Sequence, residues 1–178
     1  LDSFDGFRIL CAHRRGRLGV EGLNEAVVRL LLGSGLRGLQ TRGRFWTGLP
    51  LLVRRNDYAV GRFNGDVGIV VPDAHGAPTV AFPEEDGGVS WLAPSRLPEH
   101  QRVFAMTIHK SQGSEFEHAL VVLPERPSPI LTRELVYTGV TRAKRRMTLA
   151  GEAQVLEHAL GRRVQRASGL QARLWGAP

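Results

Sequence analysis

The sequence predicts an α/β fold in which a parallel sheet covered by helices is interrupted by a small all-β insertion. At both ends of the chain, short apolar runs alternate with stretches whose apolar residues recur at helical spacing. Between about residue 50 and residue 98 the helical spacing disappears, and strand-like runs are separated by turn signals. The charge follows the same division, because residues 1–63 sum to +6, residues 64–100 to −5 and residues 101–178 to +6.

The first part of the chain predicts one strand and one helix. FRILCAH, at residues 7–13, is an apolar run that ends in basic residues, which is typical of a buried strand. Leu23, Val27, Leu30 and Leu31 then recur at helical spacing within residues 19–35, and glycines mark the end of that helix. A basic linker with several glycines follows, RGLQTRGRFWTG.

The middle of the chain predicts a small barrel of about five strands. Its strand-like runs are PLLVRRN, GDVGIVVPD, PTVAFPEED and VSWLAPSRLP. NG, HG and DGG turns separate these runs, and an Asn-Gly pair most often closes a hairpin. Trp46 and Trp91 are expected in core or rim packing, with stacking on nucleic-acid bases as the alternative.

The last part returns to alternating strands and helices. RVFAMTIH, HALVVLP and RRMTLAG predict three strands. LTRELVYTGVTRAK and EAQVLEHALGRR predict two helices, and KSQGSEFE predicts a loop. Arg162 and Arg163 are expected on a solvated face of the last helix.

The bulk properties exclude several classes of protein. No run of about eighteen apolar residues and no signal-peptide pattern occurs, so we expect a cytoplasmic protein without a membrane partner. The single cysteine, Cys11, lies in an apolar run and is expected to be a small buried side chain. The histidines show no metal-ligand spacing, so no metal site is predicted.

Residues 105–116, AMTIHKSQGSEF, carry the densest set of polar groups. An apolar strand delivers Thr107 and His109, which can hydrogen-bond to phosphate oxygens, onto one loop with Glu115. In open α/β sheets, ligands gather where strands end, at the carboxyl edge. Gly113 lets the backbone approach a ligand closely, and Glu115 can accept a hydrogen bond from a ribose hydroxyl. The alternative is an ordinary polar loop.

Residues 132–144, TRELVYTGVTRAK, place Arg142 at the end of a predicted helix. There its guanidinium could reach a phosphate across a cleft and stabilise the charge that develops in phosphoryl transfer. Taken alone, this residue is better explained as a basic side chain that satisfies the helix dipole.

Together, these two segments resemble motifs V and VI of superfamily 1 helicases. HKSQGSEF followed by RELVYTGVTRAK looks specifically like the RecD-type helicases, and the resemblance extends over nearly the whole chain. CAHRRGRLGVEGLN is similar to the stretch around motif IV of that family. RRNDYAVGRFNGDVGIV, PSRLPEH and RASGL are similar to further segments of it.

The resemblance implies an ATP-driven helicase that moves 5′ to 3′ on single-stranded DNA and takes part in double-strand break repair and recombination. It implies a second RecA-like motor domain at residues 1–43 and 99–178 and an SH3-like barrel at residues 44–98. The nucleotide contacts implied are Gly113, Glu115, Arg142 as an arginine finger, and Arg14 or Arg15. The DNA contacts implied are Thr107, His109, Lys110 and Ser111.

The sequence contains no G-x-x-x-x-G-K-[ST] phosphate-binding loop, and its first residue is Leu1. We therefore expect a fragment that does not hydrolyse ATP alone, with ATP and Mg²⁺ bound mainly by an N-terminal motor domain. The implied partners are that domain, single-stranded DNA, and RecB and RecC homologues. The alternatives are a freestanding nucleic-acid-binding module and a RecD-like helicase outside a RecBCD complex.

Overall fold

The computed structural model of the chain describes residues 6–35, 43–84 and 86–164. The strands are β1 (Phe7–Cys11), β2 (Pro50–Val53), β3 (Val67–Pro72), β4 (Pro78–Pro83), β5 (Val89–Leu92), β6 (His100–Arg102), β7 (Ala105–Thr107), β8 (Phe116–Val122) and β9 (Ala143–Ala150). The helices are α1 (Val20–Gly33), α2 (Arg133–Val140) and α3 (Ala153–Gly161), with 3₁₀ turns at Pro94–Arg96 and Ile108–Ser111. Across these described ranges, every helix is too short or too polar to cross a bilayer.

Four strands form a parallel sheet in the order β7-β1-β8-β9. β1 pairs on both sides, so that Ile9 lies opposite Ala105 of β7 and Leu120 of β8. The parallel sheet with its helices confirms the predicted α/β class. It also confirms the strand predicted from FRILCAH and the helix predicted from the next segment.

Helices cover both faces of this sheet. Cys11 packs in a cluster with Val20 of α1, whereas Leu10, its neighbour in β1, packs in a cluster with Leu135 of α2 and Val155 of α3. Successive side chains of a strand point to opposite faces, so β1 is buried on both sides. Burial on both faces is the reason that this strand is a continuous apolar run.

The other five strands form an antiparallel sheet in the order β5-β4-β3-β2-β6. One face forms its own core, which includes Val53, Val70 and Phe82. Leu52 of β2 instead belongs to the core cluster of the parallel sheet, which packs the two sheets against each other. β5 and β6 are the edges of this sheet, and its identification as an SH3-like barrel stays a prediction.

The strand predicted from RVFAMTIH is in fact two strands in two different sheets. His100–Arg102 pairs with β2 in the antiparallel sheet, and Ala105–Thr107 pairs with β1 in the parallel sheet. Between them, the Val103 carbonyl accepts a hydrogen bond from Arg8 Nη1 at 2.9 Å, and Phe104 stacks on the ring of Trp46. The antiparallel sheet therefore extends to Arg102, beyond the boundary that the sequence predicted at residue 99.

Helix α2 is shorter than the sequence predicted. It begins after Thr132, whose side chain accepts a hydrogen bond from the Leu135 backbone N–H, and it ends at Val140. Ala143 already pairs with Phe116 of β8, so only two residues separate the helix from β9. Arg142 therefore lies in a tight link between the helix and the strand.

Candidate functional site

The loop after β7 begins with a 3₁₀ turn that exposes two of the predicted DNA contacts. Thr107 caps this turn, because its Oγ1 accepts the Lys110 backbone N–H at 3.2 Å. Ile108 is fully buried and anchors the turn in the core. His109 and Lys110 are consequently left on the surface.

Ser111, the fourth predicted DNA contact, lies in the interior. Its side chain is fully buried, and its hydroxyl donates to the Ile108 carbonyl at 2.8 Å. This placement corrects the expectation of a surface residue, because the hydroxyl is used to close the turn and has no surface to offer to DNA. Sequence alone did not distinguish Ser111 from its exposed neighbours.

The second half of the loop leads to the amino end of β8. Gly113 has a φ of +86°, a conformation that other residues rarely adopt, and this turn directs the chain towards Phe116. The Ser114 N–H donates to the Ser111 carbonyl at 3.0 Å. Gly113 and Glu115 are both exposed.

Three hydrogen bonds hold the Arg142 side chain, and one of them joins it to this loop. Its Nη1 donates to the Ser114 carbonyl at 3.0 Å, its Nε to the Thr138 carbonyl at 3.2 Å, and its Nη2 to Thr141 Oγ1 at 3.4 Å. The Arg142 carbonyl accepts the Phe116 N–H at 2.8 Å, so both backbone and side chain join the two segments. A guanidinium has five N–H groups, and two of these remain for another acceptor.

The predicted site residues lie at two opposite edges of the parallel sheet. Glu115 and Arg142 immediately precede β8 and β9 at the amino edge, whereas Thr107 ends β7 at the carboxyl edge. Cys11 pairs with Val122, which lies six residues after the start of β8, so the two edges are about 20 Å apart. The structure thus brings Glu115 and Arg142 together and separates them from Thr107. The expectation that the polar groups of this loop gather at the carboxyl edge is wrong for Glu115, because the loop returns to the amino end of β8.

Arg14 and Arg15 follow β1 at the carboxyl edge, so the structure does not place them beside Glu115 and Arg142. The two arginines have different surroundings. Arg14 Nε lies 3.4 Å from Glu21 Oε1. Arg15 instead lines a cavity of about 270 Å³ between the loops that follow β1 and β8.

Positive charges surround Lys110. Burial, and after it the positive charges of Arg54 and Arg14, lower the pKa of the Lys110 ammonium. Arg54 follows β2 and is itself paired with Glu99 at 2.8 Å. Lys110 therefore lies where basic side chains from both sheets meet.

Glu115 borders a cavity of about 360 Å³ between the two sheets. Its lining includes Lys110, Met106 and Phe116 from the parallel sheet, and Asn64 from the antiparallel sheet. In the part of the chain that the structure describes, Arg142 does not border this cavity.

A larger cavity of about 770 Å³ contains residues that sequence reasoning missed. His109 borders it together with Gln112 and Thr138, and Arg162 and Arg163 close it from the segment after α3. The arginines were predicted on the face of a helix, but α3 ends at Gly161, and the Arg162 carbonyl accepts the Arg133 N–H at 3.0 Å. This return of the chain onto α2 has no local signal in the sequence.

Within residues 6–35, 43–84 and 86–164, no group of three or more His, Cys, Asp or Glu side chains is placed to hold a metal ion.

Comparison with protein families and curated proteins gives consistent matches. Residues 102–150 match the family described as the UvrD-like helicase C-terminal domain. The RecBCD enzyme subunit RecD of Mycolicibacterium smegmatis is 42% identical over 174 residues, which are 98% of this chain and 30% of that protein. The subunit of the same name from Haemophilus influenzae is 39% identical over 168 residues, covering 94% of this chain and 25% of that protein.

The ATP-dependent RecD2 DNA helicase of Deinococcus radiodurans is 36% identical over 156 residues, which are 87% of this chain and 21% of that protein. The chain thus spans between 21% and 30% of the length of these three relatives.

Solved structures share the fold at much lower identity. The Bacteroides Pif1 helicase in complex with ADP-AlF3 and ssDNA has a TM-score of 0.52 and 15% identity, covering 88% of this chain and 42% of that one. The Candida albicans Pif1 helicase has a TM-score of 0.52 and 16% identity, covering 85% of this chain and 48% of that one. Identity at this level shows a common fold and nothing about the site.

Proposed function

The chain belongs to the UvrD/RecD-like family of superfamily 1 helicases and matches the C-terminal part of RecD, and from this we propose that it forms the second motor domain of an ATP-dependent DNA helicase. In this proposal the natural protein moves 5′ to 3′ on single-stranded DNA. We assign residues 1–43 and 99–178 to the motor domain and residues 44–98 to an SH3-like insertion, to whose sheet β6 at His100–Arg102 adds an edge strand.

The amino edge of the parallel sheet is the part that we assign to the nucleotide. Glu115 is exposed, and its carboxylate is suited to accept a hydrogen bond from a ribose hydroxyl, with Gly113 allowing close approach. Arg142 retains two N–H groups beyond its three internal hydrogen bonds, which suits a bidentate contact to phosphate oxygens. Bound ATP supplies the transferable phosphoryl group, and Arg142 acts as the arginine finger that stabilises its developing charge.

The carboxyl edge is the part that we assign to single-stranded DNA. Thr107, His109 and Lys110 provide a hydroxyl, an imidazole and an ammonium at the end of β7. Arg14 is close enough for its charge to act on Lys110, which favours DNA phosphates as the target of Arg14. A nucleotide contact by Arg14 or Arg15 is the alternative assignment for these two arginines.

Other parts of the catalytic machinery are assigned outside this sequence. The phosphate-binding loop and the Mg²⁺ ligands belong, in this proposal, to an N-terminal motor domain, and the chain alone does not hydrolyse ATP. A cytoplasmic location and a role in double-strand break repair and recombination are part of the same proposal.

One observation carries the assignment. Arg142 Nη1 donates to the carbonyl of Ser114, the residue before Glu115, so two of the predicted nucleotide contacts, Glu115 and Arg142, lie together at one sheet edge. Of the predicted DNA contacts in the same loop, Thr107 ends β7 at the opposite edge, whereas Lys110 borders the same cavity as Glu115. A single loop therefore connects the two regions.

The test is the substitution Arg142→Ala in the whole natural protein that carries this sequence. We expect DNA-stimulated ATP turnover to fall by roughly 10³-fold to 10⁵-fold, the range known for arginine fingers. Affinity for single-stranded DNA should stay within about twofold, because Arg142 lies at the other edge of the sheet. Both are measured on one preparation, by a phosphate-release assay and by fluorescence anisotropy of a labelled oligothymidylate.

The matched control is Arg146→Ala, an exposed arginine four residues further along, in β9. This variant removes the same charge and should leave ATP turnover unchanged. Equal turnover in wild type and Arg142→Ala would remove the arginine-finger assignment, as would equal losses in the two variants.

Whether the natural protein works in a RecBCD complex is a separate question, since both RecBCD subunits and a RecD2 helicase are among the relatives. Identity does not decide between the two, because the RecBCD subunits range from 25% to 42% identity and the RecD2 helicase is 36% identical. The complex, with RecB and RecC homologues as partners, is the arrangement that we propose. Copurification of such homologues with the tagged natural protein would support this assignment, and purification without them would favour a helicase that acts alone.

A further inference from the structure

Residues 54–66, which connect β2 to β3 and are here called the aromatic loop, carry two rings in water. Tyr58 is 80% exposed and Phe63 is 46% exposed. Their ring centroids lie 5.8 Å apart, and the rings meet edge to face at 75°. The function proposed above uses neither residue.

Hydrogen bonds hold the aromatic loop in one conformation. The Asp57 N–H donates to the Arg62 carbonyl at 2.7 Å, and the Arg62 N–H donates back to the Asp57 carbonyl at 3.0 Å. The Asp57 carboxylate accepts the Ala59 N–H at 3.0 Å. Asn56 Oδ1 accepts the Asn64 N–H at 2.8 Å, which closes the base of the loop.

Arg62 fixes the loop to the antiparallel sheet. Its guanidinium lies 4.6 Å from the centre of the Phe82 ring and pairs with Glu84 at 2.6 Å and with Asp66 at 3.7 Å. Ser90 is a further hydrogen-bond partner of the same guanidinium. Only 11% of the Arg62 side chain is exposed, so this anchor is shielded from competing water.

A rigid loop with two exposed rings is suited to stacking against a flat ligand. The exposed part of each ring gains nothing for the folded chain from the hydrophobic effect, and contiguous exposed apolar groups commonly mark binding sites. Because the loop is already ordered, binding there loses little conformational entropy. Rings held edge to face also leave a free π-face on which another ring can stack.

The aromatic loop adjoins the assigned DNA edge. Asn64, next to Phe63, borders the same cavity as Lys110. Arg54, at the start of the loop, is one of two arginines whose charge acts on Lys110. The rings therefore lie on a segment whose two ends both approach Lys110.

Basic side chains without an ion pair lie near the loop, and the Glu115 carboxylate borders the same cavity as Asn64 and Lys110. Arg55 and Lys110 have no carboxylate within 4.0 Å in the described part of the chain. The acidic residues of the loop are already engaged, since Asp57 accepts backbone N–H groups and Asp66 pairs with Arg62. A ligand that combines flat rings with negative charge fits this surface, and single-stranded nucleic acid is such a ligand.

We propose that Tyr58 and Phe63 stack on bases of the single strand whose backbone is held by Lys110 and Arg55, an inference that rests on the proposed DNA-binding function. Every base has a π-face, so this contact is indifferent to sequence. In this arrangement the insertion and the parallel-sheet domain contact the same single-stranded DNA.

The test compares affinities for oligothymidylate in the whole natural protein, measured by fluorescence anisotropy. The double substitution Tyr58→Ala with Phe63→Ala should weaken binding by roughly fivefold to 150-fold, the range for losing a stacked base. The conservative pair Tyr58→Phe with Phe63→Tyr keeps both rings and should bind within about twofold of wild type. Trp91→Ala is the matched control, since Trp91 is 61% exposed on β5 of the same sheet and lies outside the loop.

A second measurement does not depend on variants. Oligothymidylate that contains 5-iododeoxyuridine is irradiated with the wild-type protein, and the crosslinked peptide is identified by mass spectrometry. We expect the crosslink on the peptide that contains residues 54–66. A crosslink confined to other peptides would overturn the inference.

The outcomes separate this inference from the function on which it rests. If Thr107→Ala with His109→Ala weakens DNA binding but the loop variant equals wild type, only the aromatic-loop inference is overturned, and a protein partner becomes the better occupant. If the wild-type protein does not bind oligothymidylate at all, both are overturned. Weakening by the loop variant alone would support stacking and remove the assigned backbone contacts.

Discussion

At the scale of single residues, Arg142 joins two segments that the sequence keeps far apart. Its guanidinium contacts the Ser114 carbonyl in the loop after β7 and the Thr138 carbonyl in α2. A shift of that loop on DNA binding would therefore change the position of the guanidinium. Such a contact gives a direct physical route from the DNA edge to the nucleotide edge.

Cys11 provides a test of the parallel-sheet core. It is fully buried in β1, and burial raises the pKa of its thiol from 9.0 to about 12. We predict that the folded protein does not react with a thiol reagent at about pH 8, whereas the urea-unfolded protein reacts fully. Rapid reaction of the folded protein would show that β1 is not buried as described.

The same shift predicts how stability changes at alkaline pH. The folded pKa lies above the unfolded pKa, so the contribution is fully present below about pH 9 and is lost as the pH rises towards about 12. At about pH 10.5 the loss is on the order of 2 kcal/mol, measured from urea unfolding. Cys11→Ala should lack this part of the pH dependence, and an equal decline in both proteins would contradict it.

Ser111 and Thr107 show that the burial of a single residue in a polar loop is not predictable from the sequence. Both are hydroxyl residues in one polar loop, and both were predicted to contact DNA. The turn buries Ser111 and leaves Thr107 half-buried at its cap. Which hydroxyl is buried depends on the packing of Ile108 in the core. The spacing of residues within the loop does not determine that packing.

At the scale of elements, β7 is an edge strand whose free side is covered by a side chain of α1. Asn24 Nδ2 donates to the Ala105 carbonyl at 2.9 Å, and Asn24 Oδ1 accepts the Ala105 N–H at 3.2 Å. The amide thus replaces a neighbouring strand. Asn24 faces the core at helical spacing from Val20 and Val28. A polar residue at a core position of a helix is a sequence signal for a buried hydrogen bond to another element.

We predict that Asn24→Ala destabilises the protein by about 2–4 kcal/mol, because it leaves a buried N–H and a buried carbonyl without partners. The measurement is the free energy of unfolding from urea titration. Glu25→Ala, an exposed neighbour in α1, should change it by less than about 0.5 kcal/mol. Equal effects of the two substitutions would show that the amide does not join α1 to β7.

The elements that the sequence predicted well are those defined by local patterns. β1, β8 and α1 each follow a continuous apolar run or a helical repeat. The change of sheet between Arg102 and Ala105 lies inside a single apolar run and depends on distant partners, namely Trp46 for Phe104 and Arg8 for Val103. The sequence therefore predicted one strand where the structure has two, because the contacts that separate them come from distant parts of the chain.

At the scale of the whole molecule, one loop spans the parallel sheet from its carboxyl edge to its amino edge. It starts at the end of β7 with the assigned DNA contacts and finishes before β8 with Glu115. The resemblance predicts which residues of this loop contact nucleotide and DNA, and those contacts stay predictions. The division between the two edges follows from the parallel direction of β7 and β8, because the loop must return from the carboxyl end of β7 to the amino end of β8. The position of β1 between these two strands was not predictable from spacing alone.

The most direct test is a crystal structure of the whole natural protein with a non-hydrolysable ATP analogue and oligothymidylate. We predict that the Glu115 carboxylate lies within about 3.2 Å of a ribose hydroxyl and that Arg142 lies within a similar distance of the terminal phosphate. The DNA backbone should contact Thr107, His109 and Lys110. A nucleotide bound at the carboxyl edge, or one that contacts neither Glu115 nor Arg142, would contradict the separation of the two sites.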